Sequence, residues 1–367
     1  MINVSFLFRI VSFLLFFLIF NSMYLIGVES YFVAFTSKVV FYISIFLLFG
    51  MLVIGRSSLS SDRYFFFLTF FLFVFWVFFR ASGVYGIIVA CQAAVVLLLS
   101  LALSGANDDC KNYLASALKI SAVFFLVVSS IHLVFARVFA NDNFWGLYCL
   151  VFLVASLGFE RRWRFLVFPF FVFLVLSGTR SALLGFFVSL ALLLFLKSTW
   201  QAKVLQMAFF LFVFILLFAV GFFDYLMSPE FAVFVMDVTG KRIESGRVEI
   251  WSTIFSTMSI KDWIIGIGGG YDLASIIGVA LSVHSGYIHI LSSFGLIGLL
   301  LFFVLIFLFS RASYKKGWAI TFLMITALVV REFFEVSLLN NNFPVAIFFW
   351  GILASGAIDK TFRREVV

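Results

Sequence analysis

The sequence has 367 residues, of which 65% are hydrophobic and only 11% are charged, and its mean hydropathy is +1.22. A soluble domain needs far more polar surface than this composition provides, so we expect the bilayer to be the solvent of the chain. The formal net charge of +8 would indicate a nucleic-acid partner in a soluble protein, but in a membrane protein it first reports topology, and no nucleic-acid partner is expected.

Twelve hydrophobic stretches are candidate transmembrane helices, each of which needs ~20 apolar residues. They cover approximately residues 4–25, 31–55, 64–80, 84–103, 113–137, 143–159, 163–177, 180–197, 204–223, 285–309, 317–337 and 343–358. The first stretch is long, lacks a clear small-x-small cleavage site and is followed at once by another, so we interpret it as a retained helix and not as a signal peptide. The seventh and eighth stretches meet at the sequence "SGTR" and are the hardest to separate. The fold class predicted is an all-α polytopic membrane protein.

Basic residues are distributed unevenly over the connections between these stretches. If the N-terminus is cytoplasmic, fifteen Lys and Arg residues fall on the cytoplasmic side, and three, Arg80, Arg137 and Arg180, fall in short outer connections. This is the bias that the positive-inside rule expects, and it places both termini in the cytoplasm. Lys38 and Lys119 lie within spans but about two turns from an end, so their ammonium groups can snorkel to the interface.

A long outer loop interrupts the series of spans. Residues 1–222 would carry helices one to nine, residues 223–284 the loop, and residues 285–367 the last three helices and a cytoplasmic tail. The loop has four Lys/Arg against seven Asp/Glu. Long loops do not report topology reliably, but they are where functional residues are usually mounted.

Arg180 lies in "LSGTRSALLG", at the predicted outer start of a helix. Ser177 or Thr179 can cap that helix. The free N–H groups and the dipole of the helix favour an anion there, and a guanidinium adds a forked donor. The alternative is an arginine that only snorkels to the interface, although an outer arginine departs from the positive-inside pattern.

Arg247 lies in "RIESGRVEIWSTIFSTM" within the long loop. The apolar residues at helical spacing are Val248, Trp251, Ile254, Phe255 and Met258. They predict a short amphipathic helix on the outer membrane surface, with Arg247 at its N-terminal end, where an anion is again favoured. A solvated ion-pair network of Arg247 with Arg242, Glu244 and Glu249 is the alternative.

The glycine-rich sequence "GIGGGYD" follows, with Gly266, Gly268, Gly269 and Gly270. Its backbone N–H groups could form an anion-binding nest. It lacks the GK[ST] of a P-loop and follows no strand, so nucleotide binding is not expected. We interpret this sequence mainly as a hinge.

His284 begins the next predicted helix on the outer side, beside Ser285. A metal pair with His289 is not expected, because five residues turn a helix by about 500° and leave the two rings about 140° apart. A neutral imidazole at position 284 could accept a proton from a substrate hydroxyl, and a purely structural role is the alternative. For His289 and His132 we expect packing roles. The three cysteines are far apart and in no CxxC, so neither a disulfide framework nor a zinc motif is indicated.

Three charged residues lie near the outer end of the eleventh stretch: Arg331, Glu332 and Glu335. Arg331 and Glu335 have i,i+4 spacing and can neutralise each other. The pair could hold the bundle together or line a cavity, and we favour the structural role.

The order of these motifs resembles that of the O-antigen ligase and polymerase superfamily of bacterial inner membranes. A "TR" at the outer start of a helix is followed by a long outer loop with an arginine shortly before a tryptophan, and then by "GIGGG". A histidine heads the next span in the pattern H-[NSQ]-x9-G-x-x-G, which is met by His284-Ser285 and by Gly295 and Gly298. The family commonly has Asn where this chain has Ser285. The similar part runs roughly from residue 175 to residue 310.

The resemblance implies a lipid-dependent glycosyltransferase of GT-C-like type whose periplasmic catalytic residues are Arg180, Arg247 and His284. Donor and acceptor would be glycans carried on undecaprenyl diphosphate, contacted by Arg180, Arg247, Arg242 and Ser285. Two guanidinium groups can stabilise the charge of a departing diphosphate, and His284 would take the proton from the acceptor hydroxyl or orient it. Diphosphate is already a good leaving group, so neither a metal nor another cofactor is expected.

Two enzymes of this superfamily share the donor chemistry and differ in the acceptor. A ligase transfers the glycan to lipid A-core, whereas a polymerase transfers it to another lipid-linked repeat unit. By analogy with polymerases of lipopolysaccharide biosynthesis we expect a polymerase, with a chain-length regulator protein as a possible partner. A lipid-linked oligosaccharide transporter, or flippase, is the alternative of another class. The distinctive charges favour an enzyme, because they lie at the outer surface and not near the midplane.

Overall fold

The computed structural model describes residues 61–104, 108–134, 142–197, 247–269 and 285–336, together with residues 139, 233, 237, 338, 349–350, 353–356 and 359. All regular structure in these ranges is helical, and an isolated bridge between Ala81 and Gly269 is the one β-type pairing found there. The all-α prediction is therefore confirmed for this part of the chain. The spans predicted at 4–25, 31–55 and 204–223 lie outside the described residues.

The bundle helices follow the predicted hydrophobic stretches closely, and two short helices lie within the predicted loop. They are α1 Ser61–Phe79, α2 Gly83–Ser104, α3 Asp108–Val134, α4 Asp142–Leu157, α5 Val167–Leu176, α6 Arg180–Lys197, α7 Arg247–Thr257, α8 Ile260–Ile265, α9 Gly286–Lys315 and α10 Ala319–Arg331. Two segments, Leu114–Val134 and Gly286–Lys315, are long and apolar enough to cross a membrane, and α1, α2, α4, α6 and α10 contain shorter apolar segments. The structure therefore supports an integral membrane protein, while the total of twelve spans stays a prediction.

The predicted seventh span begins with tighter helical geometry than expected. A 3₁₀ helix, Arg161–Leu166, leads directly into α5. At 2.0 Å per residue for the 3₁₀ part and 1.5 Å for the α part, the two together are about 27 Å long, close to the hydrocarbon thickness. Residues 177–179 then form a turn before α6, so the seventh and eighth stretches are separate helices.

The centre of the bundle is α4, which is buried along nearly its whole length, from Trp145 to Ser156. It contacts α3, α5, α6 and α10. The α1 helix has the opposite character, because its phenylalanines Phe65, Phe71 and Phe75 are more than half exposed. Apolar side chains on an outer helix are the surface that a bilayer solvates, whereas water would leave them unfavourably exposed.

The two ends of the bundle differ in charge. One end contains the start of α3, the α4–α5 and α9–α10 connections and the end of α6, and carries Lys111, Arg161, Arg162, Arg164, Lys197, Arg311, Lys315 and Lys316. Here Lys119 reaches Glu160 (2.9 Å), as expected for a snorkelling lysine, and its hydrogen bond is the main cause that lowers the pKa of Glu160. We call this the basic end. The opposite end holds the α1–α2 turn, the starts of α4, α6 and α9, and the end of α10.

Gly295 breaks α9 into two parts. Its φ of 68° and ψ of −172° are not helical, and a left-handed φ of this kind costs glycine little. Residues 286–294 form a short first half. Residues 296–315 form a second half that is about 30 Å long at 1.5 Å per residue, which alone is enough to cross the hydrocarbon core.

The carbonyl groups next to the break find partners from other parts of the chain. In a continuous helix, the carbonyls of Ser292, Ser293 and Phe294 would accept from the N–H groups four residues later. Here Ser292 O accepts from Ile267 N (2.7 Å) and Ser293 O from Gly268 N (3.0 Å). Phe294 O accepts from Trp76 Nε1 (2.8 Å). All three carbonyl groups next to the break are therefore hydrogen-bonded, and the break does not carry the free-energy cost of unpaired carbonyls at these positions.

Gly295→Ala is expected to destabilise the protein more than Gly83→Ala. The two glycines have similar φ values, +68° and +63°, so alanine is strained at either position, and the ψ of −172° at Gly295 lies in a region that only glycine commonly adopts. At Gly83 the added Cβ meets nothing within 4 Å, whereas at Gly295 it would lie 2.3 Å from Ile264 O. Thermal unfolding in detergent measures both variants, and equal shifts of their midpoints would contradict the close contact at the break.

Candidate functional site

Arg180 is the first residue of α6 and is exposed. The turn before it is held differently from the expected cap. The Thr179 hydroxyl donates to Asp142 O at the start of α4 (3.0 Å), and the Ser177 hydroxyl donates to Leu174 O (2.8 Å). The side chains predicted to cap α6 are thus used to fix the turn, and they hold Arg180 beside the start of α4.

Gly146 of α4 makes this close approach possible. A Cβ at Gly146 would lie 2.2 Å from Thr179 Oγ1 and 2.8 Å from Ser177 Oγ. Glycine is therefore required for the turn to lie directly against α4. The position of Arg180 depends on this contact, since Arg180 follows Thr179 in the chain.

The start of α4 also binds the end of α10. Arg331, buried, donates from Nη2 to Asn143 O (3.2 Å), and Asn143 Nδ2 donates to Glu335 Oε1 (2.9 Å). Arg331 and Glu335 thus meet on Asn143, which the sequence did not single out. This arrangement agrees with the structural role favoured for the pair.

The start of α9 is attached to the same end of α10. Gly286 N donates to Glu332 O (2.8 Å), and the Tyr287 hydroxyl donates to Val329 O (2.7 Å). The contact at Gly286 is so close that a Cβ there would overlap the Glu332 carboxylate. Ser285 is buried and caps α9, since its hydroxyl accepts from Ile288 N (3.4 Å). His284 lies outside the described residues, but its chain neighbour is fixed at this end.

The α7 helix begins at Arg247, as predicted, but its apolar face packs on protein. Ile250, Ile254 and Met258 form a small buried cluster, against which Trp251, Phe255, Ile267 and Ile288 pack. The expectation that this face lies on the membrane surface is therefore wrong for these residues. The cluster joins α7 to the first half of α9, because Ile288 belongs to that half. The Arg247 side chain and Arg242 lie outside the described residues.

The exposed apolar residues of the loop belong instead to the next helix. In α8, Ile260 is 83% exposed, Ile264 50% and Trp263 38%. Ser259 and Asp262 cap α8 with a reciprocal capping box, and the Ser259 hydroxyl donates to Asp262 (2.6 Å). That hydrogen bond is the main cause that lowers the pKa of Asp262, and the Lys261 and Arg80 cations lower it further.

The "GIGGG" sequence is neither a free hinge nor an anion nest over the part that the structure describes, residues 266–269. Gly266 N donates to Asp262 O (2.8 Å), and Gly269 N donates to Arg80 O (2.8 Å). The two N–H groups between them are bonded to the carbonyls at the α9 break. All four N–H groups are therefore used inside the protein, which leaves none of them for an anion.

Of the two remaining histidines, His132 has the packing role expected for it, and His289 is described by its burial alone. His132 Nδ1 accepts from Phe139 N (3.1 Å), and its ring packs edge-on against Trp145 at 4.7 Å. His289 is partly buried within the first half of α9. Cys149 is buried in α4 and Cys91 is exposed on α2, so these two cysteines are not paired with each other.

The structure therefore brings the start of α6, the start of α4, the end of α10 and the start of α9 together at one end of the bundle. Hydrogen bonds through Asp142, Asn143 and Glu332 connect them. Sequence reasoning missed Asp142 and Asn143 and named Glu332 only as a charge near the end of a span, because these bonds use main-chain carbonyl groups and leave no motif. Arg80 and Trp76 were also missed as contacts, since Arg80 entered only as an outer charge.

A protein-family model matches part of the chain. Residues 165–303 match the family model described as O-antigen ligase. This range contains Arg180, Arg247, His284 and the glycines of the α9 break. The match confirms the predicted resemblance to the O-antigen ligase and polymerase superfamily, and supports a function of ligase or polymerase type. No curated protein matches the chain.

Gly146→Ala is expected to destabilise the protein and displace Arg180. In a helix interior, alanine in place of glycine normally stabilises by about 0.5–1 kcal/mol. At Gly146 the new Cβ would lie 2.2 Å from Thr179 Oγ1, so the turn before α6 must move. Thermal unfolding in detergent tests the sign of the effect. A rise in the midpoint would show that the turn does not lie against α4.

Proposed function

We propose that this protein is a metal-independent glycosyltransferase that polymerises undecaprenyl-diphosphate-linked O-antigen repeat units, or those of a related polysaccharide, at the periplasmic face of the inner membrane. One observation carries the proposal. Hydrogen bonds connect the helix start at Arg180 with the helix start at Ser285, and both lie at the end of the bundle opposite the basic end. Basic connections remain in the cytoplasm, so the opposite end faces the periplasm. With twelve spans, both termini are cytoplasmic, and residues 223–284 form the periplasmic loop of a GT-C-like enzyme.

The α7–α9 contact supports the convergence of Arg247 and His284. Ile250 lies three residues after Arg247, and Ile288 lies four residues after His284, and both belong to one cluster. Residues three or four apart are neighbours on a helix surface. The Arg247 position is therefore about one turn from this contact, and His284 lies two residues before the first residue of α9 in the chain.

Two helix N-termini, each with an arginine at its first position, favour an anionic substrate. The N-terminal end of a helix carries partial positive charge, so an anion bound there is stabilised by the helix end and by the arginine together. Arg180 begins α6 and Arg247 begins α7. A diphosphate bound between them would supply that anion, with Arg242 and Ser285 as further contacts.

In the proposed reaction the acceptor hydroxyl oxygen attacks the anomeric carbon of the donor sugar. The bond from that carbon to the diphosphate oxygen breaks, and undecaprenyl diphosphate leaves with the bonding electrons. Arg180 and Arg247 stabilise the negative charge that develops on it, and His284 takes the proton of the acceptor hydroxyl. Attack opposite the leaving group inverts the anomeric centre.

The second candidate is an O-antigen ligase that transfers the glycan to lipid A-core, since the matched family model is described as O-antigen ligase. Deletion of the gene followed by gel analysis of lipopolysaccharide separates the two. Core bearing a single repeat unit indicates a lost polymerase. Bare core with accumulated lipid-linked polymer indicates a lost ligase. Unchanged polysaccharide would contradict both, and a block in translocation would favour the flippase alternative.

Arg180→Ala, Arg247→Ala and His284→Ala are each expected to abolish glycan transfer while the protein still inserts and folds. Arg247→Lys should also lower the rate, because a point charge does not reproduce a forked donor. Arg162→Ala is the control, since Arg162 is a 78% exposed arginine at the basic end. Transfer assays with purified protein and lipid-linked repeat units measure the effect. Normal rates in any of the three variants would remove that residue from the mechanism.

Transfer is expected to continue in the presence of EDTA. The guanidinium groups supply the positive charge that a divalent cation would otherwise place on the leaving diphosphate. The same assay, with and without EDTA, measures this. Complete loss of transfer that added metal restores would overturn the metal-independent mechanism.

A further inference from the structure

Arg80, in the turn between α1 and α2, binds the segment of residues 266–269 at both of its ends. Its guanidinium Nη2 donates to Gly266 O (2.6 Å), and its main-chain carbonyl accepts from Gly269 N (2.8 Å). Ser82 adds a hydrogen bond from its N–H to Gly269 O (2.8 Å). The α1–α2 turn therefore fixes this glycine-rich segment although almost two hundred residues separate them in the chain.

The same segment holds the C-terminal end of the first half of α9. Its two inner N–H groups, from Ile267 and Gly268, donate to Ser292 O and Ser293 O. Arg80 is thus bonded to residues 266–269, and these residues are bonded to the half-helix that follows His284. The other end of this half-helix is held by Glu332 O through Gly286 N.

The first half of α9 depends on these outside contacts for its orientation. It has nine residues, from 286 to 294, and isolated helices shorter than about 12 residues are marginal. The non-helical Gly295 also separates it from the spanning half, so the spanning half does not fix its direction. Small shifts of a catalytic group are costly, since a displacement of about 1 Å can lower a rate by about 100-fold.

We propose that Arg80 is a positioning residue for glycan transfer, which holds the His284 half-helix in its productive orientation through residues 266–269. This inference rests on the proposed function. The guanidinium is engaged within the protein, because Nη2 is bonded to Gly266 O and Nε is inaccessible to solvent. Arg180, by comparison, is exposed at the start of α6.

Hydrogen–deuterium exchange and transfer kinetics on Arg80→Ala and Arg80→Lys test the proposal in the full-length protein. Arg80→Ala should accelerate exchange in residues 266–269 and 285–294 and leave α4 unchanged. It should lower kcat about 10- to 100-fold with little change in KM, because the bound substrate meets a misoriented half-helix. Arg80→Lys should give intermediate values, since an ammonium can still donate to Gly266 O.

An engineered cross-link separates positioning from a direct chemical role. A Cβ at Gly268 would lie 3.6 Å from Ser82 Cβ, within the range of a disulfide. The φ of +130° at Gly268 strains any side chain there, so oxidised and reduced forms of the same double-cysteine protein are compared. Ser82→Cys with Gly268→Cys is combined with Arg80→Ala in a protein whose Cys91, Cys110 and Cys149 are replaced by alanine. The same double-cysteine protein with Arg80 retained is the control. Oxidation should restore transfer to the Arg80→Ala protein relative to its reduced form.

Each contrary result overturns a defined part of the account. Unchanged exchange in Arg80→Ala, or a raised KM at unchanged kcat, would overturn the positioning role. A cross-link that restores protection but not transfer would do the same, as would global unfolding of both Arg80 variants. Absence of transfer in the unmodified protein would overturn the proposed function instead, while the exchange data would still decide whether Arg80 holds the half-helix.

Discussion

The break in α9 at Gly295 is the constraint on which the arrangement of the site depends. A membrane-embedded helix cannot leave main-chain carbonyls unpaired at low cost, and a break exposes several at once. Here the loop supplies two N–H donors, from Ile267 and Gly268, and α1 supplies the third, from Trp76. The loop, the break and the α1–α2 turn are therefore one hydrogen-bonded unit. This explains why a glycine-rich sequence in the loop accompanies glycines at the head of the following span.

The opposite end of the half-helix belongs to a second unit, built by close main-chain approach. Gly146 lets the turn before Arg180 lie on α4, and Gly286 lets the start of α9 lie on the Glu332 carboxylate. Side chains then bond to main-chain atoms across these contacts. The result places the starts of helices, with their partial positive charge, at one end of the bundle. The starts of α4, α6 and α9 favour an anion at this end, in agreement with the proposed diphosphate.

The sequence was sufficient for the elements but not for their partners. Hydropathy located α1 to α6, α9 and α10 because a span needs a continuous apolar stretch, and the basic end followed from charge counting. Over residues 266–269 the hinge and nest interpretations of "GIGGG" failed, because the N–H groups have partners inside the protein, such as Ser292 O, that lie in another element. The apolar face of α7 was assigned to the membrane for the same reason, since periodicity shows that a face is buried but not against what. The contact from Trp76 to Phe294 joins residues 218 positions apart, and no local pattern encodes it.

The central claim is that Arg180, Arg247 and His284 converge around a diphosphate at the periplasmic end. An experimental structure in a lipid nanodisc with bound undecaprenyl diphosphate tests it most directly. The account predicts both guanidinium groups within about 3 Å of diphosphate oxygens, with the His284 imidazole facing the same cavity. A diphosphate bound at the basic end, or contacted by neither arginine, would contradict it.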